Sequence, residues 1–153
     1  MPTNEWGNAT WLLFHTIAAQ IDETKFNEIK SQLIDVIIVT CSHLPCPICT
    51  QDASAILKKA FIHKIKTKEH FIEFIRQFHN IVNIKLDQKT FSKEEIKDMY
   101  NNRNLIIVTN NFINLYLKPS GNMKMIIHTF QRQNFINRII PILQKIISNC
   151  LHK

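Results

Sequence analysis

Apolar residues recur at intervals of three and four along most of the first hundred residues, which is the period of an amphipathic helix. The pattern predicts a first helix over residues 8–20, with Asn8 as its cap. A second predicted helix runs from Thr24 to the break at Pro45. Residues 36–39 are apolar throughout, so this part of the second helix could also form a strand.

Three further helices follow in the same half of the chain. Pro47 suits the first turn of a third helix, because its missing N–H is not needed there, and Cys46 then lies at or before the N-terminus. Apolar spacing predicts a fourth helix over residues 68–86. Ser92 and the glutamates that follow have the form of a capping box, which begins a short fifth helix ending near Tyr100.

The pattern changes beyond the asparagine-rich turn at residues 101–104. Residues 105–117, LIIVTNNFINLYL, fit either a strand or a helix, and the following KPSGN reads as a turn. Residues 135–150 form an isoleucine-rich amphipathic pattern that predicts a helix interrupted by Pro141. We therefore treat residues 102–153 as an extension whose fold is expected to be helical.

Length and composition exclude several classes of protein. The 153 residues suffice for one ordinary domain, and 45% are hydrophobic, yet no apolar run approaches the roughly 18 residues of a membrane span. We expect no membrane association and no secretory leader. The net charge of +7 invites a nucleic-acid partner, but the lysines are scattered and no aromatic platform accompanies them, so none is expected. Two glycines exclude a glycine-rich phosphate loop.

The stretch LPCPICTQDA at residues 44–53 carries the candidate chemistry, since Cys46 and Cys49 form a CxxC pair. In a reducing compartment such a pair is more often catalytic or metal-binding than structural. With Cys41 and His43 the pair would offer zinc four ligands within nine residues. Tetrahedral zinc sites usually draw their ligands from two separated elements, which speaks against zinc here.

A thioredoxin-like interpretation is the second alternative. It would make DVIIVT at residues 35–40 a strand and place the CxxC at the start of the next helix, whose N-terminus lowers the pKa of the first thiol from about 8.5 toward 7. The flanking sequence is helical in period and lacks the alternating strands of such a sheet. This interpretation requires no flavin.

Rings and imidazoles on two helices favour a third interpretation, in which the flanking helices supply functional partners for the CxxC pair. Trp11 and His15 lie four residues apart on one helical face, and His79 and Asn83 lie four apart on another. Each alone would more often be an amphipathic core residue whose polar end is satisfied. Their occurrence together around a CxxC pair raises the weight of a functional role.

Three motifs occur in a fixed order: W-G-x-x-x-W-x-x-x-H from Trp6 to His15, Leu-Pro-Cys-x-x-Cys ending at Cys49, and H-N-x-V-N-x-K-L from His79 to Leu86. In this order and at these separations they resemble the Erv/ALR family of flavin-linked sulfhydryl oxidases. The resemblance covers about the first hundred residues. It is closest to the small members carried by large cytoplasmic DNA viruses.

The resemblance implies an all-α four-helix bundle with a short fifth helix over residues 1–101, followed by the extension 102–153. It implies non-covalently bound FAD, a homodimer, and a location in the cytoplasm, which for a viral protein is the host cytoplasm or else the virion. The implied activity is thiol oxidation: a dithiol in a substrate protein becomes a disulfide, and electrons pass through the CxxC pair to FAD and then to O2, giving H2O2.

The resemblance also assigns roles to residues. Cys46 is the interchange thiol that meets the substrate, and Cys49 is the thiol next to the flavin. The implied cofactor-binding residues are Gly7, Trp11, His15, Cys49, Phe74, His79, Asn80, Val82, Asn83, Lys85 and Lys89.

This sequence departs from the family at four of its positions. Asn8 stands in place of arginine, Phe74 in place of tryptophan, and Asp87-Gln88 in place of Gly-Lys. Lys85 or Lys89 would then supply the missing positive charge for the pyrophosphate.

The remaining cysteines and histidines match no motif. Cys41 and Cys150 are expected to be unpaired thiols, although Cys150 could instead belong to a shuttle disulfide of the kind that family members often carry. His43, His63, His70, His128 and His152 are expected to be surface residues or helix-end charges.

Overall fold

The computed structural model describes residues 5–118 and 123–150, and this part of the chain is all-α, as predicted. It contains seven α-helices and two short 3-10 turns, at Glu23–Lys25 and Ile62–Lys64, and no β-strand. The α-helices are α1 Glu5–Gln20, α2 Phe26–Cys41, α3 Pro47–Lys59, α4 Lys68–Lys85, α5 Lys93–Lys97, α6 Leu105–Tyr116 and α7 Met123–Ile147.

Side-chain caps fix where four of these helices begin. The sulfur of Cys46 accepts a hydrogen bond from the Cys49 amide at the start of α3. The hydroxyl of Thr67 caps α4, and the side-chain oxygen of Asn104 caps α6. Ser92 and Glu95 form the predicted capping box of α5. Each cap satisfies a backbone amide that the helix itself leaves without an acceptor.

Three details of the predicted helices are wrong. The first helix begins at Glu5, so Asn8 lies inside it and is not its cap. The short α5 ends at Lys97 and does not reach the vicinity of Tyr100. Helix α7 continues through Pro141, where an interruption was expected. Pro141 is exposed, so the backbone carbonyl that loses its donor lies on the side of α7 that faces solvent.

The two segments that fitted either strand or helix are both helical. Residues 36–39 continue α2, and residues 105–116 form α6. Most of the predicted KPSGN turn lies outside the described residues. The strand that a thioredoxin-like fold requires before the CxxC is therefore absent, since DVIIVT is part of α2.

Helix α1 packs against both α4 and α6. Helix α2 packs against α3 and α7, and α6 packs against α7. Residues of α6 and α7 therefore share one continuous core with α1 and α2, and those buried most completely are Phe112, Tyr116, Ile136, Ile139 and Ile146. The last two helices thus cover the faces of α1 and α2 that the first five leave uncovered.

The end of α7 is attached to the link between α1 and α2. Ile21 and Cys150 form an isolated antiparallel bridge, and the Asp22 amide donates to the Asn149 carbonyl at 2.9 Å. Over residues 5–118 and 123–150, no helix combines the length and apolar character needed to span a membrane.

Candidate functional site

Cys46 and Cys49 are joined by a disulfide at the N-terminus of α3, with their Cα atoms 5.2 Å apart. Cys46 is the N-cap residue in extended conformation, Pro47 occupies the first turn, and Cys49 lies within that turn, as the sequence predicts. Both cysteines are partly exposed. The Cys49 amide donates to the Cys46 sulfur at 3.2 Å, and the positive end of the helix favours a thiolate there.

Cys49 faces a cavity of about 150 Å³ between α1, the start of α3 and α4. Cys46 is not among the residues that line it. Seven of the predicted cofactor-binding residues do line it: Gly7, Trp11, Cys49, His79, Val82, Asn83 and Lys85. The condition on which the flavin interpretation depends, a space shared by Trp11, His79 and Cys49, is therefore met.

One pair of stacked rings lines this cavity, and a second pair lies behind it. The rings of Trp11 and His79 lie 4.1 Å apart and are inclined by 8°. The rings of His15 and Tyr100 lie 4.6 Å apart and are inclined by 5°. Trp11 also contacts Phe78 edge-on at 5.1 Å. The site thus offers flat, polarisable surfaces, the kind that planar heteroaromatic groups pack against.

The two imidazoles of the site contact each other directly. His15 Nε2 and His79 Nδ1 lie 2.8 Å apart, so one ring donates and the other accepts. Burial and then the neighbouring His79 lower the pKa of His15 to about 3, and burial lowers the pKa of His79 to about 4. Both rings are therefore neutral at physiological pH, because a charge on either would be poorly solvated and would repel the other.

Positive charge at the cavity comes from Lys85. Its ammonium lies 4.0 Å from the Asp52 carboxylate, and both side chains are about half exposed. Lys89 is directed elsewhere, 3.3 Å from Glu95, and does not line the cavity. Asn8 and Gln88, which stand where basic residues were expected, also line it. Among the lining residues Lys85 is the cation, which favours it over Lys89 as the partner of an anionic group.

Four of the predicted cofactor-binding residues do not line the cavity. His15 lies behind His79, to which it is hydrogen-bonded. Asn80 uses both ends of its amide on the backbone of Phe91, at 2.8 Å each, which holds the α4–α5 connection. Phe74 lines a larger open groove of about 760 Å³ between α3 and α4. Lys89 is the fourth.

Sequence reasoning missed two contacts that support the cavity wall. The ring of Tyr100 stacks on His15, and the hydroxyl of Tyr116 lies 2.8 Å from the Thr10 hydroxyl in a fully buried position. Both tyrosines lie far from α1 in sequence, so helical periodicity gives no signal for either contact.

Cys41 is an unpaired thiol buried on α2, as expected, and it also lines the cavity, which the sequence did not indicate. It is 2% exposed, and burial raises the pKa of its thiol to about 12. Cys41 therefore stays protonated at physiological pH and does not act as a thiolate nucleophile in this conformation.

Cys150 and His43 complete the predicted set of unassigned residues. Cys150 is buried, and its sulfur lies 3.3 Å from the Ile146 carbonyl. His43 is not a simple surface residue, because its ring stacks on Phe135 of α7 at 4.9 Å. His63 and His70 are exposed, as predicted, and the side chains of His128 and His152 lie outside the described residues.

The resemblance implies FAD. The chemistry of the lining suits that cofactor better than the volume of the cavity does. Ring faces suit a planar coenzyme, neutral imidazoles and amides supply hydrogen bonds, and Lys85 suits a pyrophosphate. The present cavity holds the volume of about five water molecules. Sites that bury small molecules usually measure about 300–1,000 Å³. FAD would therefore need more room than this cavity offers.

The zinc alternative receives no support from the described residues. No group of three or more His, Cys, Asp or Glu side chains in this part of the chain is placed to hold a metal ion. Cys46 and Cys49, two of the four candidate ligands, are bonded to each other.

Comparison with known families identifies the family of the chain. A family model described as Erv1/Alr matches residues 8–101, which contain the CxxC pair and both helices that bear the stacked rings. The chain belongs to the Erv1/Alr family. The match ends before α6 and α7, so this member of the Erv1/Alr family adds two helices that its family model does not include.

Curated relatives of this Erv1/Alr member come from viruses and plants. An African swine fever virus protein named FAD-linked sulfhydryl oxidase is 30% identical over 95 residues, which is 62% of this chain and 79% of that protein. Proteins named FAD-linked sulfhydryl oxidase ERV1 are 26% identical in Oryza sativa and 28% identical in Arabidopsis thaliana. These matches cover 60% and 59% of this chain and about half, 47%, of each plant protein. No solved structure matches the chain.

Proposed function

We propose that this protein is an FAD-dependent sulfhydryl oxidase that introduces disulfides into a substrate protein bearing a dithiol. One observation carries the proposal: Cys49 of the disulfide lines the same cavity as the stacked rings of Trp11 and His79. The names of the viral and plant relatives, FAD-linked sulfhydryl oxidases, support it.

The first chemical step is thiol–disulfide exchange at Cys46. A substrate thiolate attacks the Cys46 sulfur, the Cys46–Cys49 bond breaks, and the Cys49 sulfur leaves as a thiolate. Attack at Cys46 is favoured because this sulfur does not line the cavity, whereas Cys49 does. The first turn of α3 stabilises the departing thiolate.

The second step releases the oxidised substrate. The second substrate thiolate attacks the substrate sulfur of the mixed disulfide, and Cys46 leaves as a thiolate. The substrate has then lost two electrons and two protons and gained a disulfide, while Cys46 and Cys49 form a reduced pair. Bound FAD would accept those two electrons and pass them to O2, giving H2O2.

The roles that we propose for the cavity residues follow from their positions. Trp11 and His79 offer ring faces, and Gly7 leaves room on α1 for a close approach. His15 acts through His79, whose ring it holds by a hydrogen bond. Lys85 would neutralise an anionic group at the mouth of the cavity.

We propose the other predicted contacts with less direct geometric support. Val82 and Asn83 line the cavity and would contact the cofactor. Asn80, Phe74 and Lys89 would reach it only if the lining rearranges as the cavity opens. The homodimer, the division into residues 1–101 and 102–153, the cytoplasmic or virion location, and the absence of nucleic-acid and membrane partners stay predictions.

Oxygen consumption with dithiothreitol as the substrate tests the proposed activity. We expect Cys46→Ser and Cys49→Ser each to abolish turnover, since each removes one sulfur of the exchanging pair. Cys150→Ser is the matched control, because it removes a thiol that is buried just beyond the C-terminal end of α7. Full turnover by either CxxC variant would overturn the proposal.

A trapping experiment separates the roles of the two cysteines. The probe is a peptide whose single cysteine is bonded through a disulfide to a small aromatic thiol. In Cys49→Ser the Cys46 thiolate should attack the peptide sulfur, release the small thiolate and keep the peptide as a mixed disulfide, because no Cys49 thiolate is present to displace it. Cys46→Ser should accumulate much less, since Cys49 is turned toward the cavity. Mass spectrometry of the adducts distinguishes the variants, and the reverse order of yields would exchange the two roles.

A further inference from the structure

The net positive charge of this chain comes from one part of it. Residues 1–98 contain twelve Lys and Arg and twelve Asp and Glu, whereas residues 99–153 contain seven Lys and Arg and no acidic residue. The whole net charge of +7 therefore belongs to the last third of the chain. Such an asymmetry indicates attraction of an anionic partner toward the surface that this part forms.

A polar groove lies where this basic region meets the helix that leads to the CxxC pair. The groove measures about 490 Å³ and is lined by Ser42 and His43 at the end of α2 and by Gln131, Asn134, Phe135 and Arg138 of α7. Phe135 is buried beneath His43, whose ring stacks on it at 4.9 Å and 6°. His43 Nδ1 also lies 2.8 Å from the Val39 carbonyl, which fixes the ring further.

The groove lies close to the exchanging sulfur. Cys46 follows His43 by three residues, so their Cα atoms are at most about 11 Å apart. Pro45 and Pro47 restrict the backbone of this short connection. A polypeptide whose thiol reaches Cys46 therefore has its neighbouring residues within reach of the groove.

The chemistry of the groove points to carboxylates. Arg138 is exposed, and no ion pair involves it within the described residues. None of the six lining side chains is acidic, while the amides of Gln131 and Asn134 can bond to a peptide backbone. Arginine pairs with a carboxylate through two parallel hydrogen bonds. A nucleic acid would be expected to meet several cations and an aromatic platform, and the groove offers one arginine.

We propose that this groove binds an acidic segment of the substrate polypeptide, next to the thiols that Cys46 oxidises. The inference rests on the proposed function, and it gives α7, which lies outside the family match, a role in selecting the substrate. The groove guides the substrate, and Arg138 takes no part in the exchange of sulfur bonds.

Steady-state kinetics of the full FAD-loaded chain on matched peptides tests the proposal. The peptides carry one dithiol flanked by glutamates, by serines or by lysines. We expect the lowest KM for the glutamate peptide, with a preference that weakens as salt is raised from about 0.05 to 0.5 M. Arg138→Glu should raise that KM about five- to tenfold and leave kcat and dithiothreitol turnover unchanged. The matched control is Lys97→Glu, the same charge change at an exposed residue of α5.

Binding of a thiol-free glutamate peptide, measured by fluorescence anisotropy, tests the groove independently of catalysis. If the wild-type chain binds the glutamate peptide but does not oxidise dithiothreitol, the proposed function is refuted and the groove assignment stands. Equal KM values for the three peptides, or an equal effect of Arg138→Glu and Lys97→Glu, would overturn the groove assignment. Tighter binding of a single-stranded oligonucleotide than of the glutamate peptide would overturn it in favour of a nucleic-acid surface.

Discussion

Acidification should destabilise this protein through the buried pair of His15 and His79. The folded chain holds both imidazoles neutral, with pKa values of about 3 and 4, whereas the ordinary value is 6.5. Since the folded pKa values are depressed, the unfolded chain binds more protons below pH 6.5. Stability is therefore complete above that pH and is lost as the pH falls toward the folded values.

The magnitude follows from the two pKa shifts. One pKa unit corresponds to about 1.4 kcal/mol. Consider an imidazole that stays neutral in the folded chain and has the ordinary pKa of 6.5 in the unfolded chain. When the pH falls from 7 to 5, such a group lowers the free energy of unfolding by about 2 kcal/mol. His15 is 2% exposed and should give nearly this amount, whereas the half-buried His79 should give less. We expect the free energy of unfolding to fall by about 2–4 kcal/mol for the pair.

Urea unfolding at pH 7 and pH 5, followed by tryptophan fluorescence, measures this loss. Of the carboxyl groups in contact with basic partners, Glu73 and Glu95 have pKa values lowered by their hydrogen bonds, so they titrate below this window. His79→Gln should reduce the loss by less than half, because it removes the imidazole that contributes the smaller share. His63→Gln, at an exposed position, should leave the loss unchanged.

Two results would refute this reasoning. One is a free energy of unfolding that is the same at pH 5 as at pH 7, or higher. The other is an equal pH dependence in the wild type, His79→Gln and His63→Gln, which would assign the titration to groups outside the pair.

Two further predictions concern the helices beyond the family match. Phe112→Ala should lower the free energy of unfolding by about 3–5 kcal/mol, because this fully buried ring of α6 packs in the core shared with α1. Urea unfolding measures the loss, with Asn110→Ala at an exposed position as the control. A loss below about 1 kcal/mol would show that α6 is not part of that core. Cys150→Ser should leave dithiothreitol oxidation unchanged, since Cys150 is buried beside Ile146; a large loss measured as oxygen uptake would indicate a shuttle disulfide.

Local signals in the sequence predicted most of the first five helices. The capping box at Ser92 and the proline after Cys46 fix helix starts through bonds within four residues, and the structure has both. Such features survive in any fold that contains the segment, which is why they can be read from sequence alone. The second helix was predicted to run to the break at Pro45, but it ends at Cys41, four residues earlier, so the proline marks the following connection and not the helix end.

The helical state of α6 could not be decided from its own pattern. Residues 105–117 are apolar on more than one side, so their periodicity fits strand and helix alike. Packing against α1 and α7 selects the helix, and both partners are distant in sequence. The interruption predicted at Pro141 was wrong for a related reason. Pro141 is exposed in α7, so the loss of one backbone hydrogen bond is tolerated, and exposure depends on the tertiary structure.

The site was predictable where its residues belong to motifs. Trp11, His79 and Cys49 lie on three different elements, and only their joint match to the family indicated that they meet. Residues that approach the cavity from outside the motifs gave no signal. Cys41 reaches it from α2, and Tyr116 reaches Thr10 from the extension, through contacts that exist only after the helices have packed.

Anaerobic spectroscopy of the FAD-loaded full chain tests most directly whether Cys49 and a flavin share the cavity beside Trp11 and His79. On addition of dithiothreitol, the wild type should lose the flavin absorbance at about 450 nm, because electrons would pass from the reduced CxxC pair to the flavin. Cys49→Ser should bind FAD and keep its colour. Bleaching of Cys49→Ser at the wild-type rate, or a wild-type chain that does not bind FAD, would contradict the account.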